Sequence, residues 1–318
     1  MKKILKVLII ILIVVVVLAG GFALFISIRG IPNYGAKDPG IKIVSDSTRI
    51  ERGRILASML CADCHKNPET GKLTGGDMDP EHNLPFGNLF SQNITQDKTV
   101  GIGDWTDGQI IYLLRTGIKR DGQYAPPWMA KLPNMSDEDV ASIISFLHSN
   151  DPMVQADATP DRPCEPSFLA KFLALVAFKP FPYPDHVIAQ PDTTDKPAWG
   201  KYLVWNLDCF SCHSLDYAKN DYLTPSNSVG YLGGGNKTPE GIFSANLTPD
   251  NETGIGTWTE EKFIQSFRYG IKPSGGTNRL PMKPYNMLSE SEAKAIYAYL
   301  RTVPPIHNAV NRNASVTE

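Results

Sequence analysis

Two short stretches of this 318-residue sequence combine cysteine and histidine at one spacing. They are Cys61-Ala62-Asp63-Cys64-His65 and Cys209-Phe210-Ser211-Cys212-His213. Paired thiols followed at once by an imidazole can add to the two vinyl groups of a haem while the histidine coordinates the iron. Zinc would need a fourth ligand for each set, and a thioredoxin-like site would need a βαβ pattern, which the sequence lacks. The motifs therefore predict two haem c groups, attached at Cys61, Cys64, Cys209 and Cys212 and ligated by His65 and His213.

An internal repeat indicates the sixth ligand of each iron. Residues 93–129 match residues 246–282 at a constant offset of 153 positions, with 15 identities in 37. Met129 aligns with Met282. The other candidate ligands have no counterpart of their own type, and these are Met135, Met287, His82 and His148. Because His/Met ligation is typical of electron-transferring cytochromes c, Met129 and Met282 are the predicted axial methionines.

Helical patterns surround each motif and predict an all-α fold. In each repeat, a first helix begins near Gly53 or Gly200 and ends at the cysteine motif. A second helix is predicted from about Asp107 to Thr116 and again from Glu260 to Tyr269, and a third follows Ser136 or Ser289, each of which opens a capping-box pattern. The apolar residues of the third helix recur at the spacing of one helix face. The repeats are therefore interpreted as two small helical domains with loops folded over the haems.

The first 29 residues predict a single membrane helix. Lys2, Lys3 and Lys6 precede the apolar run 7–28, which reaches the roughly 20 residues needed to span a bilayer. A cleaved signal peptide is the alternative, although the run is longer than a typical signal core. The position of the lysines favours an inner N-terminus and an exported body. We thus expect a single-pass protein of the bacterial cytoplasmic membrane, with its haem domains on the periplasmic side.

The same reasoning divides the chain into six segments. The two haem domains are predicted at residues 50–150 and 195–304. The remaining segments are the anchor at 1–29, a linker at 30–49, a Pro-rich linker with a short apolar segment at 151–194, and a C-terminal tail at 305–318. The apolar segment 168–178 is too short to span a bilayer. It is expected to pack between the domains, with a position at the membrane surface as the alternative.

Both repeats resemble class I cytochrome c domains, over about residues 50–150 and 195–304. The resemblance rests on CxxCH, the Asn-Ile/Leu-Thr and Gly-Ile-Gly-x-Trp-Thr stretches and the methionine loop. The whole chain is similar to the cytochrome subunits of membrane-bound alcohol and gluconate dehydrogenases, but has two haem motifs where those carry three, and its anchor is N-terminal rather than C-terminal. The resemblance implies that Gly53 and Gly200 allow the first and last helices to cross closely, against Phe146 and Tyr299.

The predicted function is electron transfer without catalysis, either as a separate carrier or as a fixed subunit of a dehydrogenase or oxidase complex. Two irons with both axial positions filled exchange electrons but bind no substrate. The resemblance implies a dehydrogenase as donor and an oxidase or another cytochrome as acceptor. A dihaem enzyme, such as a peroxidase or a sulfur-compound dehydrogenase, is the alternative and needs one reactive haem. A nucleic-acid partner is not expected, because the net charge is only −2 and no basic face stands out.

Two further features leave alternatives open. Cys164 lies between the repeats and is read as a spare linker thiol, with an intermolecular disulfide or a thiolate haem ligand as the other possibilities. Asn93-Ile94-Thr95 and Asn246-Leu247-Thr248 match the glycosylation sequence. Because they recur in register, they are expected to have a structural role beside the haem instead.

Overall fold

A computed structural model describes residues 2–81, 84–126, 128–238 and 241–310. The all-α prediction is confirmed, since helices dominate the described residues and each of the two strands has only two residues. The helices are α1 Lys2–Arg29, α2 Ser47–Leu60, α3 Ala62–His65, α4 Asp107–Thr116, α5 Asp137–Leu147, α6 Phe168–Val176, α7 Lys196–Asn206, α8 Cys209–His213, α9 Glu260–Tyr269 and α10 Glu290–Leu300. Strand β1, Gly87–Asn88, pairs antiparallel with β2, Glu165–Pro166.

The first and last helices of each repeat cross at a glycine, as the resemblance implied. A Cβ atom on Gly53 of α2 would lie 1.8 Å from the Ser142 carbonyl oxygen and 2.8 Å from Cβ of Phe146. A Cβ atom on Gly200 of α7 would lie 1.9 Å from the Ala295 oxygen. Side chains larger than hydrogen are therefore excluded at both crossings, where the backbones of α2 and α5, and of α7 and α10, are in direct contact.

The first helices begin earlier than predicted. Asp46 caps α2 by accepting a hydrogen bond from the Arg49 amide, and Asp195 caps α7 in the same way through the Ala198 amide. Both glycines therefore lie inside their helices, where a close crossing rather than a helix start accounts for them. The middle helices match the prediction: α4 and α9 begin after a capping threonine and end at Gly117 and Gly270, whose positive φ closes the helix.

The two units pack around separate apolar cores. In the first unit, α2, α4 and α5 enclose a cluster that includes Leu56, Ile111 and Ile144. In the second unit, α7, α9 and α10 enclose the equivalent cluster around Leu203, Phe263 and Ile296. Met59 of α2 contacts both clusters. The two cores therefore meet along α2, where Ile55 also packs against the second cluster.

Polar groups join the units beside that point. Arg52 donates to Asp139 of α5 at 2.9 Å and to Glu292 of α10 at 2.5 Å. Tyr202 of α7 accepts a hydrogen bond from the Ser136 amide and donates to the Asp139 carboxylate at 2.7 Å. The capping box predicted at Ser136 is therefore only half formed, because the Asp139 side chain binds Arg52 and Tyr202 instead of the cap. The box at Ser289 is complete.

The apolar segment after the first unit does not pack between the units as expected. It forms α6, whose main helical neighbour is α1, and the Phe22 and Phe172 rings meet edge to face at 6.5 Å. Within the described residues, α1 is the one helix with the length and apolar composition to cross a membrane. A signal sequence shares those properties, so the finding fits either an anchor or a leader.

Candidate haem-attachment sites

The first cysteine motif follows directly from the crossing helix. α2 ends at Leu60, and the chain turns into the short helix α3, which carries His65 at its end. Cys61 and Cys64 are half-buried free thiols. The His65 Nδ1 atom lies 2.7 Å from the Gln92 carbonyl oxygen. Since a carbonyl only accepts, Nδ1 carries the proton and Nε2 keeps the lone pair that can bind a metal.

The second motif reproduces this geometry. α8 holds Cys209, Cys212 and His213, and His213 is buried. Its Nδ1 atom lies 2.7 Å from the carbonyl oxygen of Ala245. Ala245 is the repeat equivalent of Gln92, so both imidazoles are oriented by the same backbone position. Each histidine thus offers Nε2 as a ligand, which fits the proximal role in a c-type haem.

A pair of glycines completes the support of each histidine. Gly75 donates its amide to the His65 carbonyl at 2.8 Å, and Gly234 donates to the His213 carbonyl at 2.6 Å. Both glycines have positive φ, and a Cβ atom on Gly75 would lie 2.2 Å from the Ser91 oxygen. Neither glycine nor the two orienting carbonyls was predicted. Every residue has a backbone carbonyl, so the sequence does not reveal which carbonyls orient the histidines. The two glycines lie at different distances from their cysteine motifs, so the repeat does not align them.

The protonation of these groups argues against a redox-active dithiol and fits histidine as a metal ligand. Burial lowers the pKa of His65 and of His213, which favours the neutral imidazole that ligates a metal. Burial raises the pKa of Cys61 and Cys209 to about 12. A redox-active thiol needs the opposite shift. In the part of the chain that the structure describes, no three His, Cys, Asp or Glu side chains are grouped to hold a metal ion.

The predicted methionine ligands occupy equivalent loops. The Met129 amide donates to the Pro126 carbonyl at 3.0 Å, and the Met282 amide donates to the Arg279 carbonyl, three residues back in each case and at the same distance. Both side chains are half-buried and each packs against the core cluster of its own unit. Met135, by contrast, is completely buried in the first core and acts as an apolar filler. Pro127 lies outside the described residues.

The remaining histidines near the first unit differ in kind from His65. His148 pairs with Asp107 of α4 at 3.2 Å. His82 lies outside the described residues.

The exposed Cys164 thiol exchanges hydrogen bonds with the backbone of Phe90 at 3.2 and 3.3 Å. This surface position fits the reading of Cys164 as a linker thiol.

The two Asn-x-Thr stretches have the expected structural role. Asn93 and Thr95 are buried, and the Asn93 side-chain amide donates to the carbonyls of Asp157 and Thr159. Asn246 and Thr248 are buried likewise, and the Asn246 amide donates to the Ile306 carbonyl. Each stretch follows directly after the carbonyl that orients the histidine. The asparagines therefore secure the chain that returns past the site and are not free for a glycan.

One contact links the two sites. Lys283, next to Met282, forms an ion pair with Asp63, which lies inside the first cysteine motif. The methionine loop of the second unit therefore touches the attachment segment of the first. Tyr285 of the same loop packs against the second core, with its ring stacked on Phe267 at 4.8 Å.

The second unit matches a known protein family. The family model described as cytochrome c matches residues 198–304. The chain is 30% identical to the cytochrome c subunit of gluconate 2-dehydrogenase from Pantoea cypripedii and 31% identical to the fructose dehydrogenase cytochrome subunit from Gluconobacter japonicus. Each match covers 80% of this chain, but only 59% and 52% of the relative. The chain thus spans a little over half the length of these relatives.

A shorter relative matches nearly end to end. The chain is 28% identical to a diheme cytochrome c-type protein from Cereibacter sphaeroides, over 80% of this chain and 85% of that protein. The dehydrogenase relatives above are named as cytochrome subunits, so the likeness is to the electron-carrying rather than the catalytic parts of those complexes. Covalently bound haem c is the cofactor of such proteins, and the oriented histidines and paired thiols fit it. Residues 198–304 thus form a cytochrome c domain, and the chain as a whole is similar to cytochrome c subunits and to a diheme cytochrome c.

Proposed function

We propose that this protein is a dihaem electron relay, with one haem c in each of the domains at residues 50–150 and 195–304. The observation that carries the proposal is the duplication of a complete ligand set. Each unit has two half-buried thiols, a histidine oriented by a backbone carbonyl, and a half-buried methionine in an equivalent loop. His65 and Met129 would ligate the first iron, and His213 and Met282 the second. The haems supply reversible one-electron transfer when bound.

The protein would orient the ligands of each haem and keep substrates away from the iron. The carbonyls of Gln92 and Ala245 hold the imidazoles in the tautomer that presents Nε2. Methionine as the second ligand raises the reduction potential relative to a second histidine and closes the iron to substrates. The units are held together by the Asp63–Lys283 pair and by the contacts of Arg52 with Asp139 and Glu292. We therefore infer that electrons pass between the haems across this junction.

The proposed location is the outer face of the bacterial cytoplasmic membrane. α1 has three lysines before its apolar run and is almost wholly exposed, which suits a lipid-embedded anchor with an inner N-terminus. The relatives suggest a dehydrogenase as the electron donor. The acceptor would be a terminal oxidase or another cytochrome, reached through a small and transient contact.

Replacement of single methionines tests the ligand assignment. In the oxidised protein we expect two low-spin haems and a methionine-to-iron charge-transfer band. Met129→Leu and Met282→Leu should each remove about half of that band and convert one haem to another spin or ligation state. Met135→Leu is the matched control, because Met135 is a core residue and its repeat equivalent is already Leu288.

The measurement is optical and low-temperature EPR spectroscopy with a haem assay of the purified protein. An intact band in both ligand variants would refute the methionine assignment. One haem per chain would refute the count of two. A high-spin or thiolate-ligated haem in the unaltered protein would replace the relay by a catalytic function.

A further inference from the structure

Helix α6 presents an apolar face that the protein itself does not cover. Phe168 is 49% exposed, Leu169 40% and Val176 50%. The opposite side carries Ala170 and Ala174, which are completely buried. Helices in membranes commonly approach one another through such small residues spaced four apart. α6 is therefore packed on one side and open on the other.

The end of α1 contacts α6. Ile26 is the one α1 side chain that is fully buried, and Ala23, one turn earlier, is half-buried. Phe22 contacts Phe172 of α6. From Phe22 to Arg29 the helix rises about 10 Å, at about 1.5 Å per residue. If Arg29 lies at the membrane surface, Phe172 is held about 10 Å on the hydrocarbon side of it, which matches the depth of roughly 5–10 Å reached by interfacial helices.

Both ends of α6 are tied to the first unit, so its position is not that of a loose linker. At the start, the Ser167 amide donates to the Phe86 carbonyl at 2.8 Å and its hydroxyl to the Pro85 carbonyl at 2.7 Å. At the end, the Tyr124 hydroxyl donates to the Lys179 carbonyl at 3.0 Å. The segment that follows α1 is bound to the same residue, because the Tyr124 amide donates to the Pro32 carbonyl.

We propose that α6 is an interfacial helix whose exposed face, Phe168, Leu169 and Val176, inserts into the lipid leaflet beside the end of α1. This rests on the proposed anchoring of the chain by α1. Leu24 and Phe25 of α1 are exposed as well, so both helices that meet at Phe22 and Phe172 present apolar side chains outward. Arg29 ends α1, and Lys171 and Lys179 lie in and just after α6, so the segments proposed to meet the lipid carry positive charge, as expected near anionic headgroups.

The insertion orients the first unit. The Phe86 ring, beside the start of α6, lies 6.1 Å from the ring of Trp128, the neighbour of Met129. The loop that carries Met129 therefore lies beside the face proposed to insert, while the second unit is attached through α2 and α5. A donor or acceptor embedded in the bilayer would meet the first haem before the second.

Spin labels can measure the depth of α6 in the full chain. Single cysteines replace Phe168 or Val176 in a Cys164→Ser background, in which the four motif cysteines are consumed by haem attachment. Leu24→Cys on α1 serves as the lipid reference, and Lys262→Cys on α9 as the water reference. The protein is reconstituted in vesicles of phosphatidylethanolamine and phosphatidylglycerol, and each label's accessibility to oxygen and to a water-soluble nickel chelate is measured.

We expect the oxygen-to-nickel ratio at positions 24, 168 and 176 to exceed that at 262 several-fold. A high ratio at 24 with water-like ratios at 168 and 176 would refute insertion of α6 and leave the anchor intact. That result would also be obtained if a partner protein, rather than lipid, covered this face. A water-like ratio at 24 would refute the anchor and the α6 proposal with it. More than one label per chain would instead expose incomplete haem attachment.

Discussion

At the scale of single residues, each candidate haem site depends on backbone groups as much as on its cysteine motif. The carbonyls of Gln92 and Ala245 set the histidine tautomers, and the amides of Gly75 and Gly234 bind the histidine carbonyls. A Cβ atom at either glycine would meet the backbone at the orienting carbonyl, Ser91 and Gln92 in the first unit and Ala245 in the second. The glycines therefore matter for two separate reasons, their positive φ and the space that their missing side chains leave.

Replacement of Gly75 by alanine separates those two reasons. Alanine in the left-handed region costs about 1–2 kcal/mol. At Gly75 it would also place Cβ 2.2 Å from the Ser91 oxygen, which adds an overpacking cost of about 1–3 kcal/mol. Gly275→Ala is the control, because Gly275 has a similar φ of 88° with no atom within 4 Å of its Cβ position. Urea unfolding should show a clearly larger loss for Gly75→Ala, and equal losses would disprove the steric part.

At the scale of elements, the sequence predicts the helix ends that are set by nearby capping residues, but not the contacts between distant segments. α4 and α9 were predicted correctly because a capping threonine and a terminal glycine mark their ends. The start of α2 was predicted too late, since Asp46 caps it within a segment without apolar periodicity. The packing of α6 was also predicted wrongly. Its composition suited either a domain interface or a membrane surface, and the contact with α1, about 150 residues earlier, is not encoded locally.

The helix crossings give the element-scale prediction. Gly53→Ala should raise the helix propensity of α2 by up to about 1 kcal/mol. It would also drive a methyl group into the Ser142 carbonyl, 1.8 Å away, and the backbone oxygen cannot turn aside. Separating α2 from α5 should cost more than the propensity gain, so we expect a net loss of about 1–3 kcal/mol in the free energy of unfolding. Glu51→Ala, on the exposed face of the same helix, should change it by less than about 0.5 kcal/mol. A stabilised Gly53→Ala variant would contradict the close crossing.

At the scale of the whole molecule, the relation between the two units depends on a small polar cluster. Arg52 of the first unit reaches Glu292 of the second and stacks over Trp199 at 5.7 Å. Arg52 and Trp199 each precede the crossing glycine of their own helix, so equivalent positions of the two repeats meet face to face. The Asp139 side chain is only 1% exposed, and its carboxylate accepts hydrogen bonds from both Arg52 and Tyr202. The duplicated domains are thereby joined through the helices that lead into their cysteine motifs, which suits a relay that needs a constant distance between its two sites.

Arg52→Ala should therefore weaken both stability and the coupling of the units. Removing the cation leaves the Asp139 carboxylate buried with Tyr202 as its remaining side-chain donor among the described contacts, and the loss of one partner of a buried ion pair costs about 3–5 kcal/mol. Arg54→Ala is the matched control two residues along α2, because its pair with Glu51 is exposed and worth at most about 1 kcal/mol. In urea, the Arg52 variant should unfold in two separated steps, one for each unit, and should show slower electron equilibration between the haems after partial photoreduction. Unchanged equilibration with a single cooperative transition would mean that the junction is held by its apolar contacts, with Met59 rather than Arg52 setting the distance between the sites.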